Sequence, residues 1–473
     1  MPPAGKISQT ADPAAWRQFL YVLVIAAAAG QALGALLTTD RYYTPAAPAG
    51  TAQGWPKKAP AATPMFSAND RSRWCTVWAL VHEGTYQIDK IVTRPGWNTI
   101  DKVQIVDSVQ KKEHFYSSKP PLLATMVAGL YWGLNEIFGF DLYEQPYETI
   151  YVILIIINWL PMIVGLALLA MMVERYAETD ASRILVIIAA AFATFWTPFL
   201  VTFNNHTVAI VSVICTLYPL LRIWRDDERA PIYFIAAGFF GAFTACNELP
   251  AAIFGMTLFV MLVIKFPQPT LRLFVPAALV PILAFLVTNY IAIGEWMPAY
   301  SKFGGPAYNY VGSYWLAPKG IDKGGDSWWL YLLNCLVGHH GIFSLTPLWG
   351  LTVAAWVRVA RSPKQTIATP LAIVTWLSLG LTVVVVGFYL MQTKSYNYGG
   401  MTSGLRWAFW LIPFWLLGLV PIVDQWGHRR GFQLLTAVLL AISVFSVRYP
   451  HLNPWQHPWL FKLLESWKYI NYS

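Results

Sequence analysis

The sequence predicts an all-α, polytopic integral membrane protein with about eleven transmembrane helices. Three observations carry that expectation. Of 473 residues, 56% are hydrophobic and only 12% are charged, whereas soluble domains carry roughly a quarter charged residues. The 23 Trp and 24 Tyr suit side chains that anchor at the two membrane–water interfaces. Lys and Arg fall in short clusters between apolar runs, which is a topology signal. A net charge of +9 spread in this way forms no basic face, so nucleic acid is excluded as a partner class.

Taken in order, the first 16 residues are polar, and the run from Trp16 to about Leu37 is long enough to cross a bilayer of about 30 Å. No short apolar region with a small-residue cleavage site is present there, so the run reads as an uncleaved first span. A first outer loop covers 38–148 and begins with an Ala/Pro/Thr-rich lead at 44–64. Further spans follow at about 149–173, 183–203, 206–224, 231–247, 249–266, 271–293, 341–358, 367–391, 406–423 and 431–447. Polar breaks at Asn204-Asn205-His206 and Asn247-Glu248-Leu249-Pro250 divide two of the longer runs. A second large outer loop spans 294–340 and an outer tail 448–473, all within a single domain, 1–473. Cys75, Cys215, Cys246 and Cys335 are far apart and lack metal-ligand spacing.

The stretch 120–138 is apolar but opens on two prolines and contains Asn135 and Glu136. If it lies along the surface, Arg17, Arg175, Arg183, Arg222, Arg225, Arg229, Lys265, Arg272, Arg358, Arg361, Lys364, Arg429 and Arg430 all share the cytoplasmic side with Lys6. If it spans, every cluster after the first moves outside. The positive-inside rule selects an interfacial helix and a cytoplasmic N-terminus. The same choice places Asp70, Lys119, the Asn204–His206 turn, Glu248, loop 294–340 and the segment Tyr396–Arg406 on the outer face. The chemistry is expected outside the cytoplasm, in a cell membrane of the bacterial inner-membrane kind.

The polar stretch Asn69–Leu122 holds the main candidates. Asp70 precedes a helix-like run, Trp74 to His82, and suits either a helix cap or a general base on an acceptor hydroxyl. Arg73, one turn on, suits a phosphate contact. Lys119 suits either snorkelling or a lipid phosphate. Glu248 reads equally as a functional group and as a polar turn residue. His206 and the pair His339–His340 are candidate metal ligands or substrate contacts, but adjacent helical residues make a poor chelate, and polar capping of span ends is the reading that fits them better. The aromatic residues Tyr308, Tyr310, Tyr314, Trp315, Trp328 and Trp329 read as an interfacial belt. Asp89, Asp101 and Asp107 read as solvated loop charges.

Asp70-Arg71-Ser72-Arg73-Trp74, a short helix ending Glu83-Gly84-Thr85-Tyr86, then Tyr116 and Lys119-Pro120 resemble the first outer loop of the glycosyltransferase C superfamily. The likeness is greatest to the branch of protein O-mannosyltransferases and the lipid A aminoarabinose transferase. There the loop carries Asp-Glu-x-Arg-Tyr followed by Lys-Pro. This sequence departs at Arg71, where the branch has glutamate, which leaves a divalent metal open. Tyr398-Gly399-Gly400 through Arg406-Trp407 resembles the Gly-Gly…Arg segment that opens a late span, and Gly338–Pro347 is a weaker match.

The resemblance implies a membrane glycosyltransferase that moves a hexosyl or pentosyl group from a polyprenyl-phosphate-linked sugar to an extracytoplasmic hydroxyl, with inversion. The acceptor is a glycan, lipid or protein. Asp70 would be the base, and Lys119, Arg406 and Arg73 the donor-phosphate contacts, with Glu83 and Tyr116 as further substrate or structural positions. Rival readings are a transporter or lipid flippase, which would show broken midplane helices and internal repeats, and a polysaccharide polymerase or ligase built on loop 294–340.

Overall fold

The computed structural model describes residues 13–38, 64–107, 111–362, 369–391 and 397–472. Apart from Pro64, the 44–64 lead lies outside these residues, as do Lys6, Lys364 and Tyr396. The chain is built from helices. Those used below are α1 (Pro13–Thr38), α2 (Ala68–His82), α3 (Pro121–Phe138), α4 (Pro146–Tyr176) and α5 (Asp180–Phe192). They continue with α6 (Asn205–Arg225), α7 (Pro231–Asn247), α8 (Ala252–Lys265), α9 (Val275–Ile293) and α10 (Trp328–Leu336). The last five are α11 (Trp349–Arg361), α12 (Ala372–Leu390), α13 (Arg406–Trp426), α14 (Arg430–Arg448) and α15 (Trp459–Ser466).

Among the described residues, eight helical segments are long and apolar enough to cross a membrane. They correspond to eight of the eleven runs read from the sequence. Runs 231–247 and 249–266 form the shorter apolar helices α7 and α8. Run 341–358 yields only the 13-residue α11 after a break at Thr346–Leu348. α3 stands outside the eight. It ends at Gly139, whose φ of +70° closes the helix where a side chain would be strained.

Burial sorts the spans. In α13 89% of the most apolar stretch is enclosed, against 17% in α14 and 22% in the segment ending at Ile293. α13 is therefore the central span, and the other two face outward. α7 packs closely on the start of α9, where Gly238 lies against the Phe274 main chain; only a residue without a side chain permits that approach.

One element departs from the all-α expectation. Lys102–Val106 (β1) and Glu113–Ser117 (β2) pair antiparallel, with Lys102 opposite Ser117 and Tyr116 opposite Val103. The Lys-Val-Gln-Ile-Val run alternates polar and apolar residues, which suits a half-buried strand. The hairpin and α2 do not extend into solvent. Trp74, Val77, Trp78, Ile91 and Trp97 bury against Tyr131, Ile150 and Phe203, so the first loop has its own core on the bundle.

Ion pairs and caps gather the opposite helix ends. Arg17 meets Glu174 at 2.6 Å and Asp180 at 3.1 Å. Arg175 and Arg222 share Asp226. Asp424 accepts from the main-chain N–H groups of Glu178 and Thr179 at the start of α5. Arg17, Arg175 and Arg222, read from the sequence as one side, thus share one end of the bundle.

Candidate active site

The other end collects the candidates. α2 starts with a capping box: the Ser67 hydroxyl accepts from Asn69 and Asp70 N–H, and Asp70 accepts in return from the Ser67 main chain at 2.8 Å. Asp70 also accepts from Phe66 N–H at 3.0 Å and Arg71 N–H at 2.8 Å. The carboxylate is fully buried, and burial pushes its pKa up, while Arg71 and the Ser67 and Phe66 donors pull it down. The structure thus places Asp70 at the third position of α2, where its carboxylate completes the capping box behind the cap Ser67 and accepts from the main chain.

One turn on, Arg73 stands on the same face as Asn69. Its guanidinium donates to the Asn69 carbonyl at 3.1 Å and to the side chains of Asn69 and Asn205. Asn205 opens α6 behind the cap residue Asn204, whose side chain accepts from Thr207 N–H. The Asn205 amide donates to the Asn247 carbonyl and to Glu248 Oε1, both at 2.8 Å. Glu248 sits at the extended break between α7 and α8 and is 4% exposed. Burial raises its pKa well above the usual carboxylate range, against the pull of Arg406 and Arg73.

His206 Nδ1 also bonds Glu248 Oε1. With that nitrogen donating, Nε2 is the acceptor, and the Arg406 guanidinium donates to it at 3.4 Å. Arg406 Nε donates to the Gly399 carbonyl at 3.0 Å, and the guanidinium lies 5.0 Å from the Trp455 ring centre. Glu248 therefore joins both arginines, through Asn205 to Arg73 and through His206 to Arg406. Lys119 stands close enough for its charge to reach His206 together with those of Arg406 and Arg73.

The Lys119 ammonium pairs with Asp101 at 3.0 Å, and the Asp101 side chain is 6% exposed. Asp101 is thus a buried partner of the site and not the solvated loop charge read from the sequence. The Ser72 hydroxyl holds the Asp101 carbonyl and the Ser117 hydroxyl, which ties α2 to both edges of the hairpin. Loop 294–340 covers this assembly through the Trp315 indole on the Ile100 carbonyl. Within that loop, burial pushes the pKa of Asp322 up to about 6.

The structure brings together Arg73, Lys119, Arg406, His206 and Glu248. Sequence reasoning missed Asn205 and Asp101. Asn205 had been visible only as part of a polar break, and nothing around Asp101 marked it. Glu83 lies apart, paired with Lys90. Tyr116 packs with Val103 and Tyr308, and shares a narrow cleft with Lys119 and Asn289. His339 belongs to a separate buried network. Among the described residues, no group of three His, Cys, Asp or Glu side chains is placed to hold a metal.

The fold and site define a helical, membrane-type bundle with buried cations gathered at one end. No sequence-family profile and no curated protein matches the chain. Among solved structures it is similar to the oligosaccharyltransferase of Archaeoglobus fulgidus in its apo form, with a TM-score of 0.48 and 9% identity over 94% of this chain and 57% of that one. It is also similar to the same organism's oligosaccharyltransferase AglB in complex with an inhibitory peptide and a dolichol-phosphate (TM-score 0.47, 11% identity, 94% and 57% covered). A third likeness is to the enzyme tethered to an acceptor peptide (TM-score 0.48, 12% identity, 94% and 56% covered). The chain spans just over half the length of these structures.

Proposed function

We propose that this protein is a membrane glycosyltransferase that moves a sugar from a polyprenyl-phosphate-linked donor to an acceptor hydroxyl on the extracytoplasmic side, with inversion. The observation that carries the reading is the gathering of Arg73, Lys119 and Arg406, each 11% exposed or less, around His206 and Glu248. Asp101 and Glu248 offset part of this charge, and a site that keeps three cations out of water favours further negative charge. A phosphate supplies both, with Arg as a forked donor and Lys as a point charge. The first-loop motif that resembles the glycosyltransferase C branch supports the same reading.

In this mechanism the acceptor oxygen bonds to the anomeric carbon as the bond from that carbon to the phosphate oxygen breaks. The electron pair leaves with the lipid phosphate, where Arg73, Lys119 and Arg406 stabilise the growing charge. The acceptor proton passes to a carboxylate. Glu248 is the better-placed base, because His206 and Asn205 hold its carboxyl oxygen between the two arginines. Asp70 holds the start of the helix that carries Arg73.

The test is transfer of radiolabelled sugar from polyprenyl-phosphate donors by purified protein. Lys119→Ala and Arg406→Ala should each lower kcat by about 10²–10³, and Glu248→Gln by about 10²–10⁴. Asp70→Asn should stay within about tenfold of wild type, as a capping-box variant would. Loss of transfer in Asp70→Asn with Glu248→Gln active would return the base to Asp70, as the motif implies. Wild type that uses no donor would favour the transporter reading.

A further inference from the structure

Arg406 does not stand alone in its segment. The segment 397–400 before it has three successive residues with positive φ: Tyr398 at 55°, Gly399 at 85° and Gly400 at 79°. Glycine takes that conformation freely, but tyrosine does not, so something must hold Tyr398 there. Its ring is sandwiched between Tyr331, at 4.3 Å and 18°, and His340, at 5.2 Å and 13°. Its main-chain N–H donates to the Tyr331 hydroxyl at 2.9 Å, and its own hydroxyl accepts from the Asn334 amide at 3.1 Å.

The Tyr398 hydroxyl then donates to Asp326 Oδ2, the atom that also accepts from the Tyr472 hydroxyl at 2.8 Å. Tyr472 has only one proton, so with Asp326 as its acceptor it must receive from His339 Nε2, 3.0 Å away. His339 Nδ1 is then an acceptor, and His340 Nδ1 donates to it. Every hydrogen in this chain has one consistent direction. It joins loop 294–340, the turn at 339–340, the 397–400 segment and the tail. The tail is tied in once more where Ser403 N–H donates to the Pro454 carbonyl at 3.0 Å.

The output of the network is one carbonyl. Gly399, the neighbour of Tyr398, accepts the Arg406 Nε proton at 3.0 Å. The two groups are so close that a Cβ on Gly399 would lie 3.2 Å from that nitrogen. We propose that Asp326, Tyr398 and Tyr472 are positioning residues: a clamp that fixes the Gly399 carbonyl and through it the aim of the Arg406 guanidinium. The proposal builds on the reading of Arg406 as a donor-phosphate contact. It adds that the tail and loop 294–340 jointly govern whether Arg406 is in place, so the site is complete only when both are docked.

The test uses the full-length protein with Tyr472→Phe and Asp326→Asn, changes that keep the ring or the side-chain shape. Amide hydrogen exchange over 397–406 should quicken about tenfold or more in both variants, while exchange in α6 stays as in wild type. In transfer assays Tyr472→Phe should lower kcat about tenfold with little change in acceptor KM. In an Arg406→Ala background the same change should lower it less than twofold, because residues that act through one another are not additive. Unchanged exchange at 397–406 in both variants, or full additivity with Arg406→Ala, overturns the clamp. If wild type transfers no sugar, the proposed function fails, and the exchange measurement alone decides whether the clamp exists.

Discussion

His457 shows how a single side chain sets a pH response. It stacks flat on Phe461, with ring centres 3.9 Å apart, and its Nδ1 is buried without a hydrogen-bond partner among the described residues. Burial lowers its pKa from 6.5 to about 4. Between these values the unfolded chain binds the proton and the folded chain does not, so the stability His457 contributes is complete above pH 6.5 and is lost as pH falls towards 4. His339, held down at about 3 by burial, acts in the same direction, while Asp322 acts in the opposite one. The difference between wild type and His457→Phe isolates the first effect. Thermal unfolding in detergent should show the variant equal or slightly more stable at pH 7.5, since an unpaired polar atom is removed. Its advantage should grow as pH falls from 6.5 to 4.5. A constant difference across that range would mean that His457 titrates normally in the folded state.

Elements hold through single close contacts, and Gly238 is the clearest. Gly238→Ala would drive a Cβ into the Phe274 main chain, so α7 and α9 must separate. Overpacking of this kind costs about 1–3 kcal/mol, and the melting temperature should drop by several degrees. The neighbouring substitution Gly255→Ala, whose nearest atom would be 3.6 Å away, should be nearly silent. What was legible at this scale follows from periodicity. Long apolar runs and their polar breaks located α1, α4, α6 and α9 to within a few residues, because span length is imposed by the bilayer. The hairpin escaped because five alternating residues inside a polar loop carry little weight beside the apolar runs. The site was half legible. Arg73, Lys119 and Arg406 were marked by motif and by outer placement, while Asp70 lies at the third position of α2 behind the cap Ser67. Nothing local could join Asn205 to Arg73 or Asp101 to Lys119, since those pairings exist only after distant segments meet.

Across the whole molecule, the two ends differ in kind: partly exposed ion pairs of Arg with Asp and Glu at one, and at the other buried cations held by amides, a histidine and the buried carboxylates of Asp101 and Glu248. A membrane-impermeant maleimide should therefore label Val311→Cys, fully exposed in loop 294–340, on intact cells. It should reach Asp227→Cys, between α6 and α7, only after permeabilisation. Cys75, Cys246 and Cys335 are buried and give little background. The reverse pattern would invert the topology.

The connectivity of the cationic end also dictates an order of events during synthesis. Arg73 leaves the ribosome 132 residues before the Asn205 it bonds, and a further 200 residues separate His206 from Arg406. At about 5–20 residues per second, the first interval alone lasts roughly 7–26 s. Throughout it Arg73 has Asn69 but not Asn205, and the first-loop aromatics await the last of Tyr131, Ile150 and Phe203, against which they bury. The nascent chain must therefore wait, its reactive end incomplete, until the central span beginning at Arg406 has been inserted. The cationic end is assembled only after Arg406, 200 residues beyond His206, has been made.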